Sequence, residues 1–298
     1  MVGMSRHGKW LWLILLAGIA AGEGNQLMYP QTQKPMIAGL DILPVEFLPE
    51  YVIGFPVYVA ITVRARPNSV FNSLRFADFL NLRESIGLEI SRHEGGYSAS
   101  YEPRPIISQE TGGPPERLQP GESRRMLADV SPLVGVGILE GEYDARFSYV
   151  SPRTSYAAPP VTLRFRKPTA AESALLAAAA PDRQRFPNWG RWSFTCSHSN
   201  YDGPIETDNP LRFNLLLQRL FCGAEPPERV DPRTLDVLTG LFEPEANALK
   251  AELYHARNDL EGYQRARAAI LRDSPGLAWW IDMLDGGGSY LQTFHVRR

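Results

Sequence analysis

Cys196 and Cys222 are the only two cysteines of the chain, and a thiol can serve as a nucleophile or as half of a disulfide. Nucleophilic use needs a base beside the sulfur and a third group that orients that base. His198 stands two residues from Cys196, His255 lies further along, and Asp202 or Asp208 supplies a carboxylate. Nothing in their spacing brings these groups together, whereas two cysteines in an exported chain most simply pair. A Cys196–Cys222 disulfide is therefore expected, closing a loop of ~25 residues worth roughly 3 kcal/mol of chain entropy. A hydrolase built on Cys196, His198 and His255 is the rival chemistry.

Metal binding has candidates in the same stretch: Cys196, His198, Asp202, Glu206 and Asp208 all fall within residues 196–208. Their spacing matches neither a zinc site nor the alternating acids and glycine of a calcium loop, so a solvated acidic loop is expected. Glu252 and His255 sit three apart on one helix face, as in carboxylate-bridged metal bundles, but such bundles need a second pair. A surface pair is the expectation, and no metal, cofactor or catalytic residue is assigned.

Binding chemistry has better candidates in Trp189, Trp192, Trp279 and Trp280, the four tryptophans beyond the leader. Exposed, they could stack on sugar rings or anchor a partner; buried, they would fill a small helical core. Trp279 and Trp280 are adjacent and cannot share one helix face, so one is expected to pack and the other to sit at an edge. Arg124-Arg125 and Arg164, Arg166 and Lys167 are the densest basic spots. They read as solubilising residues on exposed strand faces, with an anionic glycan as the functional alternative.

The first 22 residues say where these groups must work. Arg6, His7 and Lys9 precede an unbroken apolar run from Trp10 to Ala21, and Ala20-Ala21-Gly22 gives the small residues of a cleavage site. That order is a secretory signal peptide, too short for the ~20 apolar residues that a membrane span needs. Export to the periplasm or beyond, with cleavage near Gly22, is expected. The formal charge of −2 gives no basic face for nucleic acid, and no later apolar run reaches membrane-spanning length. Four lysines against 27 arginines, and no Asn-x-Ser/Thr site, fit a GC-rich bacterial source better than a eukaryotic secreted protein.

Two unlike halves must position the candidates. From about residue 37 to 167 the chain alternates with a period of two. Val57, Val59, Ile61 and Val63 interleave with Tyr58, Ala60, Thr62 and Arg64, which predicts a strand with one buried face. The same pattern predicts strands over Tyr143–Val150 and Val161–Arg166, and shorter ones at Gly87–Ser91 and Tyr97–Tyr101 around the Glu94-Gly95-Gly96 turn. Arg75–Glu84 has helical spacing. Glu102–Glu122, rich in proline and glycine, reads as an exposed loop.

Leu118-Gln-Pro120-Gly121-Glu122 and Leu139-Glu-Gly141-Glu-Tyr143 resemble the turn-and-strand punctuation of immunoglobulin-like and fibronectin-type-III-like domains of exported bacterial proteins, as does Val52-Ile53-Gly54-Phe55-Pro56-Val57. The resemblance implies an antiparallel β-sandwich over residues 27–168. Gly141 would then make the turn into a late strand, and the Tyr143 hydroxyl would bond back to nearby backbone. It also implies a spacer or adhesive role and no chemistry, or, if the Glu102–Glu122 loop enters a protease cleft, an inhibitor.

After Pro168 the period becomes helical. Helices are predicted over Ala170–Ala180, Leu211–Phe221 and Asp231–Phe242, then in a hairpin from Pro244 to Pro275 with Leu249, Leu253 and Ala256 facing Leu260, Tyr263, Ala266 and Ile270. The spacing of Asp259 and Pro275 resembles a tetratricopeptide unit. Tyr263 and Ile270 depart from its pattern and no second copy repeats the period, so a small all-α domain over 169–298 is expected. Its tail, Asp285–Ser289, reads as a flexible joint before a strand-like Tyr290–Phe294. The sum is an exported, two-domain, non-enzymatic binding or scaffolding protein whose partner is a protein or glycan of the cell envelope.

Overall fold

Alternating branched and aromatic side chains form the strands where expected, and the computed structural model describes residues 39–67, 71–74, 86–102, 116–134, 137–151, 154–179, 209–222, 226–289 and 291. The leader (1–22), Arg75–Glu84, Trp189, Trp192, Cys196, His198, Asp202, Glu206 and Asp208 lie outside the described residues. So does the side chain of Cys222, and with it the expected disulfide.

Twelve strands are described. In the first sheet β4 (Tyr58–Ala65) is central, flanked on one side by β1 (Leu40–Ile42) and β2 (Glu46–Phe47) and on the other by β9 (Ser123–Asp129), all antiparallel. The second sheet runs β3 (Tyr51–Val52), β12 (Val161–Arg166), β10 (Gly141–Ser151), β6 (Ile86–Arg92), β7 (Ser98–Tyr101), with β11 (Thr154–Ala157) also on β10. Only the β3–β12 pair is parallel. β5 (Phe71–Leu74) pairs with β8 (Glu116–Leu118) inside the stretch expected to be loop, and Leu118 is buried.

The two sheets share one core. Val57, Val59, Ile61, Val63, Met126 and Ala128 from the first meet Leu88, Tyr143, Phe147, Tyr149 and Leu163 from the second. Gly141, at φ 142°, opens β10 in a conformation that disfavours a side chain. The Tyr143 hydroxyl accepts from the Leu139 amide and donates to the Leu139 carbonyl, both at 2.9 Å. That is the local backbone bond expected of Tyr143, and it fixes the turn into the longest strand.

Apart from the single helical turn Ser131–Val134 between β9 and β10, helices follow the strands. α1 (Ala170–Ala179) starts with a capping box: Thr169 Oγ1 accepts from the Glu172 amide and Glu172 Oε2 from the Thr169 amide. The same Glu172 takes two hydrogen bonds from Arg166, the last residue of β12, so the final strand is tied to the first helix. Next come α2 (Asn209–Cys222), α3 (Glu243–Ala256), α4 (Leu260–Asp273) and α5 (Ala278–Asp285). The continuous helix expected over Asp231–Phe242 is instead two short 3-10 turns, Pro232–Leu235 and Gly240–Phe242. Asp231 caps the first as its side chain accepts from the Arg233 amide; Gly240, at φ 59°, interrupts the run.

α3 and α4 form the expected hairpin. Asp259 caps α4 by accepting from the Gly262 amide, and Gly262 lies so close to the Tyr254 ring that a Cβ there would collide with it. Leu260, expected in the core, is 72% exposed: as the first residue after the cap it lies beyond the reach of α3. The glycine run after α5 is likewise no loose joint. Gly287 at φ 79° donates to Leu284 O and Gly288 to Met283 O, the paired bonds that close a helix end around a left-handed glycine. The chain then returns to the helical core, where Leu291 is fully buried.

Candidate functional site

The outer face of the first sheet is where the two halves meet. Tyr58 and Ala60 of β4 and Leu127 of β9 pack against Phe213, Leu217, Leu235 and Phe242 in one cluster. The sequence pattern assigned Tyr58 and Ala60 to an exposed face. They are instead buried because the helical layer covers that side, leaving only the far end of β4, at Arg64, in solvent. Edge-to-face contacts of Tyr58 with Phe213 and Phe242, ring centroids 5.3 and 5.5 Å apart, fill the seam. Asn214 Nδ2 donates to the Tyr58 hydroxyl at 3.2 Å.

Arg125 stands in the middle of this seam. It was expected on an exposed strand face and is 6% exposed; Arg124 beside it is buried as well. The physical reason is a set of acceptors built around the guanidinium. Nε donates to Glu245 Oε1 of α3 at 2.9 Å, Nη2 to Leu241 O at 3.1 Å, and Nη1 to Glu46 Oε1 of β2. One side chain therefore joins β9, β2 and the start of α3. Burial opposes the charge on Arg125, but Glu245 and Glu46 outweigh it and hold its pKa above the usual value. For Glu245 burial is the larger effect: its carboxyl is pushed above the ordinary range, and Arg125 pulls it only part of the way back. Its Oε2 has no hydrogen-bond partner among the described residues.

The backbone fits as closely as the charges. Gly276 lies against β9, and a Cβ there would sit 2.8 Å from Arg125 Cβ and 2.9 Å from Arg125 N. Only a residue without a side chain lets the Pro275–Leu277 turn approach the strand. At the rim, the Arg124 guanidinium lies over the Trp279 ring, 3.9 Å from its centroid, a stacked cation–π contact. At the other end of β9, Asp129 Oδ1 accepts from Ser131 N at 3.0 Å and Ser131 Oγ at 2.5 Å, while Ser131 Oγ accepts from Val57 N. Burial pushes the Asp129 carboxyl up to about 6, with the Ser131 and Val57 hydrogen bonds opposing it.

The two described candidate tryptophans have different surroundings. Trp280 is wholly enclosed, its indole N–H donating to Glu252 Oε2 at 2.9 Å. Trp279, 5.3 Å away ring to ring, is only partly buried and meets Arg124. Glu252, read as half of a surface pair with His255, is buried among Trp280, Ser289 and Leu291, because α5 and the returning tail close over it. His255 stays exposed, edge-on to the Tyr263 ring at 5.4 Å. The Tyr263 hydroxyl donates to Asp285 Oδ1 at 2.6 Å, and Arg267 Nε reaches the other oxygen.

The remaining basic candidates are matched by acids: Arg166 with Glu50 and Glu172, Arg164 with Glu50, Lys167 with Glu140. No group of three or more metal-ligating side chains occurs among the described residues, and no described helix is long and apolar enough to cross a membrane. The two buried carboxylates of α3 did have a sequence signal. Glu245, Leu249 and Glu252 fall at i, i+4 and i+7, so both acids lie on the apolar stripe. No protein-family model matches the chain, and no curated protein matches it.

Proposed function

We propose that this chain is an exported, non-enzymatic binding or scaffolding protein of a bacterial envelope or secreted complex, in which an immunoglobulin-like sandwich is braced on one side by a helical layer. The observation that carries the reading is the sealed seam. Arg125, Glu245, Glu46 and Gly276 lock the helical layer onto the outer face of the first sheet, which suits a rigid platform that holds surfaces in fixed relation. A loosely linked pair of domains would suit a cleft that opens and closes. The Tyr143 hydroxyl bond supports the immunoglobulin-like reading. We place the contact surface at the rim of the seam, where partly buried Trp279 stacks on Arg124, since aromatic and arginine side chains dominate protein recognition surfaces.

The test has two parts. The intact mass of the exported protein, alkylated without reduction, is expected to show cleavage near Gly22 and no modified thiol; an uncut N-terminus or two alkylations would contradict export or the disulfide. Envelope components crosslinked to the wild-type protein are then expected to be lost in a folded Trp279→Ala chain. Unchanged crosslinking would remove the rim from the proposal.

A further inference from the structure

The fastening at Arg125 holds one guanidinium against two carboxylates, Glu245 of α3 and Glu46 of β2. Charges on the surrounding elements are engaged elsewhere: Arg124 of β9 over Trp279, Lys250 of α3 with Asp236, Arg272 of α4 with Asp273. The turns Gly240–Phe242 and Pro275–Leu277 carry no ionisable side chain, and the first gives Arg125 the Leu241 carbonyl. Glu46 is exposed, so water shares its charge; Glu245 is sealed. The two oxygens of Glu245 are used unequally. Oε1 accepts from Arg125 Nε at 2.9 Å, while Oε2 is buried with no hydrogen-bond partner among the described residues. A buried carboxylate oxygen without a donor is costly as an anion, and taking up a proton relieves that cost.

We infer that Glu245 Oε2 is a proton site built into the seam, which takes up one proton in place on acidification and leaves the Arg125 fastening closed. A proton on Oε2 breaks none of the bonds described for Arg125. Oε1, then the carbonyl oxygen of a neutral acid, still accepts from Nε, and Arg125 keeps Glu46 as its charge partner and Leu241 O as its second acceptor. The three side chains pass from one excess negative charge to none. An ordinary ion pair loses its attraction when its acid is protonated; here the second carboxylate preserves it. Burial already pushes the Glu245 carboxyl above its usual range, the direction this device needs. The stability it contributes is therefore present in acid and is lost as pH rises through its folded pKa. The inference does not depend on export or on the binding role proposed above.

The experiment compares urea unfolding of the full wild-type chain with that of Glu245→Gln at about pH 4 and about pH 7, on either side of the raised carboxyl. The amide copies the protonated acid, since its carbonyl can accept from Arg125 Nε and it carries no charge. Asp129 titrates in both chains and cancels in the comparison. The two midpoints are expected to agree in acid, and that of E245Q to be the higher at neutral pH. The gain in its folding constant should approach about tenfold for each pH unit by which the fold raises the carboxyl. Equal midpoints at both pH values overturn the inference. So does an E245Q chain that is the less stable one at neutral pH, by the roughly tenfold or more expected of a lost hydrogen bond to a charged group. If E245Q does not fold, the NMR shift of the Glu245 carboxyl carbon in wild type decides. Titration above the ordinary 4.5 with the α3 and β9 amides unmoved supports the proton site. Titration at or below that value, or loss of those amide signals as the proton binds, overturns it.

Discussion

The outer faces of the two sheets carry the same kinds of residue and behave in opposite ways. On the second sheet Arg146 stands across from Glu89, Arg164 reaches Glu50, and His93 meets Asp144 at 2.7 Å, all with side chains largely in water. On the first sheet Arg125 makes its carboxylate pair out of water, beneath the helical layer. Exposed pairs gain little, because water and salt screen them. A buried pair is different: its net contribution is modest, but breaking it strands a charge. The contrast shows that a charged residue on a strand becomes a structural fastener only where something covers it, and here the cover is the rest of the same chain.

The largest effect should come from stranding the charge. Arg125→Met leaves Glu245 buried without its cation and is expected to cost about 3–5 kcal/mol, read as a lower urea midpoint. Adding Glu245→Leu should restore most of the loss, since an apolar pair of similar volume is often no worse than a buried ion pair. Gly276→Val comes next: its side chain would drive the Pro275–Leu277 turn off β9, costing roughly 1–3 kcal/mol.

A smaller, pH-dependent effect belongs to Asp129. Its folded pKa of about 6 lies above the ordinary value of 3.8, so between those values the folded protein binds more protons than the unfolded chain. Stability from this group is therefore present below about pH 4 and is lost as pH rises through 6. Asp129→Asn, which still offers Ser131 an acceptor, should flatten that slope, a difference of about 2 kcal/mol in unfolding free energy between pH 4 and 7. Glu245, also pushed upward, acts in the same direction, so the slope should steepen when Arg125 is removed and Glu245 is kept. At the bottom of the scale, Arg146→Ala on the open sheet should change stability by no more than about 0.5 kcal/mol. An effect there as large as that of Arg125→Met would erase the contrast between the faces.

How far these features could be read in the sequence follows from the same contrast. β4, β6, β10 and β12 alternate because at least one face of each meets water for part of its length, and their spans were legible within a residue or two. β9 was not. Ser-Arg-Arg-Met-Leu-Ala-Asp shows no period of two, because Met126 and Ala128 face the inter-sheet core while Leu127 meets the helices. A strand buried on both sides loses the alternation that marks strands. α5 was missed because its eight residues are short for a helical period and follow Pro275-Gly276, a pair that reads as an ending. Gly276 turned out to matter for approach to β9. Of the binding candidates, the division between Trp279 and Trp280 followed from their adjacency, since neighbouring residues cannot share one face. The burial of Arg125 could not, since its acceptors come from residues 79 and 120 positions away.

Because Arg125, Glu245 and Gly276 lock the seam, the sheets and the helical layer are expected to open together. Native-state hydrogen exchange measures this directly, comparing amides of β4 and β9 with amides of α3 from Ala248 to Leu253. One shared opening free energy is expected for both sets in wild type, and in Arg125→Met a fall in which the α3 amides separate and exchange first. Exchange of the α3 amides in wild type through an opening that leaves β4 and β9 protected would contradict it.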